Sequence, residues 1–236
     1  MNIKTVVSCS DKYLFCLKPF VTQFNRHYSS LQPVVVAGYT YPNFILPDNF
    51  FFRSIRQPQY PKEKWVDGML EFLHWFPDNL FILMLEDYWI SRNVDNVGID
   101  SLADYMSIHS DILRMDLTSD RLYTGGMHDV DTWGHYDLIE APGSQYQMSL
   151  QAGIWNRGLL IDVLKGLPEN KHSAWDVELE GTTFVNNSNM RVFGTRQYPI
   201  RYTNGYNDKL GLNKKLDELN DKDKLEILSL IPEGMK

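Results

Sequence analysis

Cysteine is almost absent. Cys9 and Cys16 are the only two in 236 residues, too few for a disulfide framework or a cysteine-based zinc site. The histidines (His27, His74, His109, His128, His135 and His172) never fall at a metal-ligand spacing such as His-x-x-x-His, which argues against a histidine metal centre. No Gly-x-x-x-x-Gly-Lys is present, and no Gly-x-Gly-x-x-Gly follows a strand-like run, which counts against P-loop and dinucleotide enzymes. Ser144 and Ser149 lack the Gly-x-Ser-x-Gly setting of a nucleophile elbow. No apolar run approaches membrane-spanning length, and the N-terminus lacks a basic segment followed by an apolar stretch. A soluble, cytoplasmic protein without an integral membrane segment is therefore expected. Positive charge is also short. With 23 Lys and Arg against 30 Asp and Glu, the net charge of −7 opposes nucleic-acid binding over the whole surface, although a local basic groove stays open.

Enough apolar side chains are present for a large core: 43% of the residues are hydrophobic and 13% aromatic, the composition of a globular chain. There is no internal repeat and no low-complexity linker. The expected organisation is one domain over residues 1–208 with a charged helical tail over 209–236, whose apolar contacts are Leu216, Leu219, Leu225 and Leu228.

Strand and helix patterns alternate through the first half. Ile3 to Ser8, Pro33 to Thr40 and Phe50 to Ile55 read as strands. Asp11 to about Tyr28 reads as a helix that Pro19 must kink or interrupt. A helix opening at Pro61 runs through Trp65, Met69, Phe72, Leu73 and Phe76 and stops at Pro77. This alternation predicts an α/β fold with a central, mostly parallel sheet. The second half is more mixed. Ser101 to Leu117 reads as a helix, and Arg121 to Thr124, Tyr136 to Ile139, Met148 to Asn156, Arg191 to Phe193 and Ile200 to Tyr202 as strands. Leu159 to Leu167 and Trp175 to Gly181 read as short helices, and Gly125 to His135 as a polar loop.

The most informative stretch is Leu80-Phe-Ile-Leu-Met-Leu-Glu86-Asp87-Tyr88-Trp89. Its apolar run has the length of a strand buried on both faces, and ligands of open α/β sheets bind beyond the carboxyl ends of such strands. Two carboxylates leaving that strand together are costly without a positive partner. A divalent cation carrying a diphosphate meets the need, because hard cations take carboxylate and phosphate oxygens together. The competing reading is that the pair merely ends a strand.

A nucleotide-binding first half, an acidic motif after the fourth strand and a later Trp-x-x-Glu together resemble a GT-A-type glycosyltransferase, a Rossmann-like single-domain fold. The pattern is similar to that of small bacterial and phage-like glycosyltransferases, in Leu85-Glu86-Asp87-Tyr88, Ser149-Leu150-Gln151-Ala152-Gly153-Ile154-Trp155-Asn156 and Trp175-Asp176-Val177-Glu178. One departure is that Tyr88 and Trp89 stand where an Asp-x-Asp motif would place its second carboxylate. The resemblance implies a nucleoside-diphosphate sugar donor such as a UDP-sugar, with Mn²⁺ or Mg²⁺ held by Asp87 and with Glu86 contacting sugar, ribose or metal-bound water. It places the nucleoside at Ser8 to Asp11, with Ser10 between them, and at Tyr39 to Asn43.

Sugar transfer also needs a carboxylate to take the proton of the attacking hydroxyl. Glu178 is the first choice and Asp176 the second, beside Trp175, whose ring can floor a sugar; Trp155 is a further donor-site aromatic. The competing reading of this segment is a helix start, with Ser173 as N-cap and Asp176 in a capping box. Arg53, Lys62 and Lys64 are upstream cations that could reach phosphate, though each reads first as an ordinary surface charge. The acceptor is a glycan or a hydroxylated base of phage DNA. For DNA, Arg53, Arg56, Lys62, Lys64, Arg196 and Arg201 should gather on one face. A non-catalytic nucleotide-sugar- or carbohydrate-binding protein on the same fold is the alternative.

Overall fold

The computed structural model describes residues 3–55, 64–207, 211–212, 216 and 218–235. Nine strands form one sheet in the order β3-β2-β1-β4-β9-β6-β10-β8-β7. They are β1 (Thr5–Cys9), β2 (Val34–Gly38), β3 (Phe50–Ser54), β4 (Leu80–Leu85), β6 (Ile112–Asp116), β7 (His128–Trp133), β8 (Tyr136–Glu140), β9 (Gly153–Asn156) and β10 (Arg191–Thr195). β3, β2, β1 and β4 are mutually parallel, and β6 is parallel to β10. β9 runs antiparallel between β4 and β6, while β8 runs antiparallel to β10 and β7. The central mostly parallel sheet is as the sequence predicts.

The central strands are buried on both sides, so their side chains alternate between two cores. Val7, Val34, Val36, Ile82, Met84, Met115 and Ile154 face one core, which also takes residues of α1 (Leu17–Phe24), α3 (Asn96–Ile108) and α6 (Asp221–Leu230). Val6, Val35, Ala37, Phe81, Leu83, Leu113 and Trp155 face the other, with α2 (Trp65–Trp75), α4 (Arg157–Lys165) and α5 (Ala174–Asn186). Two further strand pairs lie outside the main sheet: β5 (Tyr88–Ile90) with β11 (Tyr202–Asn204), and β12 (Tyr206–Asn207) with β13 (Gly211–Leu212). No described helix is long and apolar enough to cross a membrane.

Several elements differ from the sequence reading. Pro19 neither kinks nor interrupts its helix, because it falls in the first turn of α1, where its missing N–H leaves no helical bond unmade. The helix expected over Ser101 to Leu117 ends at Ile108, and its last part is the fully buried strand β6. Arg121–Tyr123 is a 3₁₀ turn, not a strand. The supposed loop Gly125 to His135 contains β7, a polar edge strand. Ser149 to Gln151 lies outside β9, which begins at Gly153. Pro61, Lys62, Arg56 and Lys209 lie outside the described residues.

Part of the expected tail is built into the core. Leu216, Leu219 and Ile227 are buried, whereas Leu225 is exposed. α6 packs against α1 and is fastened by Asp223, whose side chain is 1% exposed. Asp223 pairs with Arg26 and accepts hydrogen bonds from His27 Nε2 at 2.8 Å and Asn220 Nδ2 at 2.6 Å. Burial pushes its acidity toward the neutral form, but the bonds from His27, Arg26 and Asn220 outweigh it and hold the carboxyl below its ordinary 3.8. A depressed carboxyl stabilises the fold above its unfolded value and loses that contribution as pH falls through the folded one. Asp223→Asn should cost about 1.5–3 kcal/mol at pH 7. Urea melts should show the gap from wild type narrowing as pH falls below 3.8. A gap of constant size would mean the carboxylate charge is not what fastens α6.

Candidate functional site

The carboxyl ends of β1, β2, β4 and β6 and the start of antiparallel β9 lie along one edge of the sheet. That edge therefore carries Ser10, Tyr39, Glu86 and Asp87, Thr118 to Asp120, and Gln151. The order follows from sequence: each apolar strand ends where polar residues begin.

Glu86 and Asp87 form the turn between β4 and β5. Glu86 is 4% exposed, and its Oε1 accepts hydrogen bonds from Ser10 N at 2.8 Å and Ser10 Oγ at 2.9 Å. Burial raises its pKa, the adjacent Asp87 charge raises it further, and the Ser10 bonds offset only part. Asp87 is half-buried, and burial raises its pKa as well. Among the described residues neither carboxylate forms an ion pair. Its backbone is fixed from the far end of the chain, because Gly205 N donates to Asp87 O at 2.8 Å. Only glycine fits there: a Cβ on Gly205 would lie 2.4 Å from the Trp89 ring.

The β1 loop supports this pair. Ser8 is buried and its Oγ accepts from Trp65 Nε1 at 3.0 Å, so it braces the loop, while Ser10 grips Glu86. Asp11 is exposed beyond it and Tyr39 is buried. Among the proposed phosphate cations, Arg53 stacks on the Trp75 ring at 4.7 Å, and Lys64 is exposed at the start of α2.

The two later motifs touch. Glu178, on α5, accepts a hydrogen bond from Leu150 N at 2.8 Å through Oε1. Thr182 Oγ1, one turn on, accepts from Met148 N at 3.1 Å, so α5 clamps the segment that leads into β9. Burial raises the Glu178 pKa, partly offset by the Leu150 bond and the Arg114 charge. Among the described residues its Oε2 accepts no hydrogen bond. Asp176 is instead the third residue of a complete capping box. Its Oδ2 accepts from Ser173 Oγ at 2.6 Å and Ser173 N at 3.0 Å, and Ser173 Oγ accepts from Asp176 N at 3.2 Å. The Ser173 hydroxyl bond holds its pKa below the usual range. Trp175 is 74% exposed, whereas Trp155 is 0% exposed, with the Arg114 guanidinium 5.1 Å over its ring. Trp155 belongs to the core and offers no surface to a ligand.

Sequence reasoning missed the network between these centres. Arg114 and Asp116, both fully buried on β6, form an ion pair, and Arg121 Nε reaches Asp116 Oδ2 at 3.2 Å. Arg114 Nη2 donates to Gln151 O at 3.1 Å. The Gln151 side chain accepts from the Tyr202 hydroxyl and donates to Asp120 Oδ1 at 3.0 Å. Tyr202 stacks on Tyr88 with ring centroids 4.4 Å apart. Burial raises both phenol pKa values; Asp87 and Asp120 raise both further, Glu178 raises Tyr88, and Arg114 lowers both. Asp87, Asp120, Glu178 and Arg114 thus all lie within electrostatic reach of one tyrosine pair. The only sequence signal was Gln151 inside the Ser149–Asn156 motif.

The arrangement fits a divalent cation at Asp87, a half-buried carboxylate beside a second one, with no ion pair among the described residues to neutralise it. Among the described residues no group of three or more His, Cys, Asp and Glu side chains gathers to hold a metal, so phosphate and water oxygens would have to complete the shell. Of the basic residues that a DNA acceptor requires, two of the described ones lie far apart. Arg53 is on edge strand β3, whereas Arg196 lies toward the opposite edge, bound to Asp129 at 2.6 Å.

No protein-family model matches the chain, and no curated protein matches it in sequence. Solved structures do share its architecture. A UTP-bound UGPase from Acinetobacter baumannii has a TM-score of 0.51 at 8% identity, covering 96% of this chain and 92% of that one. A cytidylyltransferase from Leptospira borgpetersenii serovar Hardjo-bovis has a TM-score of 0.52 at 8% identity, covering 98% and 93%. The bifunctional glycosyltransferase WbbM is more distant, with a TM-score of 0.46 at 10% identity, covering 97% and 44%. The likeness to the first two establishes the fold, Rossmann-like α/β.

Proposed function

We propose that this chain is a GT-A-type glycosyltransferase that moves a sugar from a nucleoside-diphosphate sugar to a hydroxyl acceptor. The observation that carries the reading is the Glu86–Asp87 pair, desolvated and without an ion pair among the described residues, at the carboxyl end of a central parallel strand. A site of that kind suits a diphosphate accompanied by Mn²⁺ or Mg²⁺. The two similar structures named for nucleotide chemistry, the UTP-bound UGPase and the cytidylyltransferase, are consistent with a nucleotide at this edge.

Each residue has a definite task. Ser10 holds Glu86, and with it the loop on which the nucleoside rests between Asp11 and Tyr39. Asp87 holds the cation, which when bound neutralises charge on the departing diphosphate. Glu178, with Oε1 fixed by Leu150 N, presents Oε2 to the acceptor hydroxyl as general base. Its raised pKa makes the ionised form a better proton acceptor. Asp176 fixes the start of α5 and so positions Glu178. Trp175 offers an exposed ring to a sugar face.

The test is release of nucleoside diphosphate from a panel of UDP-, GDP- and CDP-sugars with Mn²⁺ or Mg²⁺. Glu178→Gln should bind donor as wild type does and lose roughly 10²-fold or more in transfer. A wild-type rate in that variant would move the base elsewhere, with Asp120 next in place. Pyrophosphate release from a nucleoside triphosphate and a sugar phosphate, with no diphosphate release from any donor, would replace sugar transfer by nucleotidyl transfer. Donor binding with no turnover would favour the non-catalytic reading.

A further inference from the structure

Beside the tyrosine pair opens a cleft of about 710 Å³, a size that suits one small ligand. Its floor holds Tyr88, Tyr202, Gln151 and Asp120, and its outer wall holds Arg92, Tyr198 and Arg201. A second cavity of about 300 Å³ lies on the other side of that wall and shares the same three residues. Arg92 and Arg201 are both exposed, and among the described residues neither forms an ion pair. Arg26, Arg114, Arg121, Arg191 and Arg196 all pair with carboxylates, and the two other described arginines without an ion pair lie outside the cleft, Arg53 on the Trp75 ring and Arg157 on the carbonyls of Leu73 and Asp78.

The wall is also built under strain. Tyr198 has φ +23°, a conformation that a side chain other than glycine rarely adopts and that tends to occur at binding sites. In this conformation its ring carries the Arg201 guanidinium 4.8 Å from the centroid, which fixes the orientation of the fork. The opposite end of the cleft has the other sign: Asp87 and Asp120 lie in electrostatic reach of both Tyr88 and Tyr202, and Glu178 in reach of Tyr88. Glu218 is the remaining acid of the lining.

We infer that this cleft is the acceptor site and that it takes an anionic sugar, a sugar phosphate or sugar acid, with its anionic group on Arg92 and Arg201 and its hydroxyl toward Tyr88. The base Glu178 lies within electrostatic reach of that tyrosine. The assignment rests on the glycosyltransferase reading for its role as acceptor site, but not for its ligand. Two guanidiniums with open donor forks recognise phosphate or carboxylate oxygens in bidentate fashion. The acidic floor and the net charge of −7 oppose a polyanion and admit a ligand charged at one end only.

The experiment is calorimetric titration of the full chain with hexose 6-phosphate, with the neutral hexose and with a short single-stranded oligonucleotide, at two salt concentrations. The expected result is at least tenfold tighter binding of the phosphate than of the neutral sugar, weakened by salt. In Arg92→Gln/Arg201→Gln the two sugars should bind alike, while UDP-sugar binding and the melting temperature stay unchanged. Equal binding of both sugars by wild type, no binding of either, or a phosphate preference that survives in the double variant would overturn the inference. An oligonucleotide binding tighter than the hexose phosphate would overturn it in favour of a phosphodiester chain. Arginine-dependent phosphate binding in a chain that binds no nucleoside-diphosphate sugar would keep the ligand and discard the glycosyltransferase reading.

Discussion

Asp87→Asn should abolish sugar transfer, by roughly 10³-fold or more, while leaving the chain folded. Loss of a leaving-group stabiliser alone costs about 10²–10³-fold in kcat, and here the same change also removes the charge that attracts a divalent cation. The fold should tolerate it, because Asp87 is held through its backbone, by Gly205 N, and burial already disfavours its charged side chain. Asparagine keeps the shape and removes the charge. The diagnostic pair of readings is a melting temperature equal to or above that of wild type together with lost turnover. A variant that turns over normally would remove the acidic pair from the chemistry.

Arg114→Ala should destabilise the fold by roughly 3 kcal/mol. Arg114 and Asp116 have no exposed surface, and the arginine also covers the Trp155 ring and holds Gln151 O. Removing one member of a buried pair costs about 3–5 kcal/mol, because the partner charge is left behind. Arg121 remains beside Asp116 and should keep the loss toward the lower end of that range. Adding Asp116→Asn to Arg114→Ala should recover part of the loss, since it removes the stranded charge. Urea unfolding of the two variants gives both numbers. A loss under about 1 kcal/mol would mean that water or a rearranged Arg121 compensates. Activity should fall as well, because the Gln151 carbonyl would lose its anchor and the Tyr202–Gln151–Asp120 contacts would loosen with it.

The parts of the fold that were legible in sequence share one physical trait. β1, β2 and β4 are buried on both faces and bounded by turn residues, so each reads as an unbroken apolar run. β6 is equally buried but contains Arg114 and Asp116, and charges inside a strand imitate the polar face of an amphipathic helix, so in sequence the preceding helix runs on through it. β7 erred the opposite way. An edge strand in solvent, His128-Asp-Val-Asp-Thr-Trp, has too few apolar residues to stand out from a loop. Pro19 reads as a breaker in sequence because only position within a helix decides what proline does, and the helix start at Leu17 has no strong N-cap to announce it.

The site was partly visible for similar reasons. Glu86 and Asp87 are conspicuous as adjacent charges ending an apolar strand. Asp176 as a capping residue was readable from the Ser173 spacing, since capping is local. The Glu178–Leu150 bond and the meeting of Tyr88 with Tyr202 join distant segments, and no local pattern encodes them. Trp155 reads as a ligand-facing aromatic because sequence does not say which face of a strand meets solvent; the answer here is neither.

In the proposed function, Asp87 and Glu86 receive a nucleoside diphosphate with a divalent cation. The most direct measurement is the melting temperature of wild type and Asp87→Asn against UDP, GDP and CDP and their sugars, with and without Mn²⁺, because a ligand that binds only the native state raises it by mass action. The expected result is a shift of several degrees with one nucleotide family in wild type, dependent on Mn²⁺ and absent from Asp87→Asn. A panel that leaves wild type unmoved, or a shift that Asp87→Asn retains in full, would contradict it.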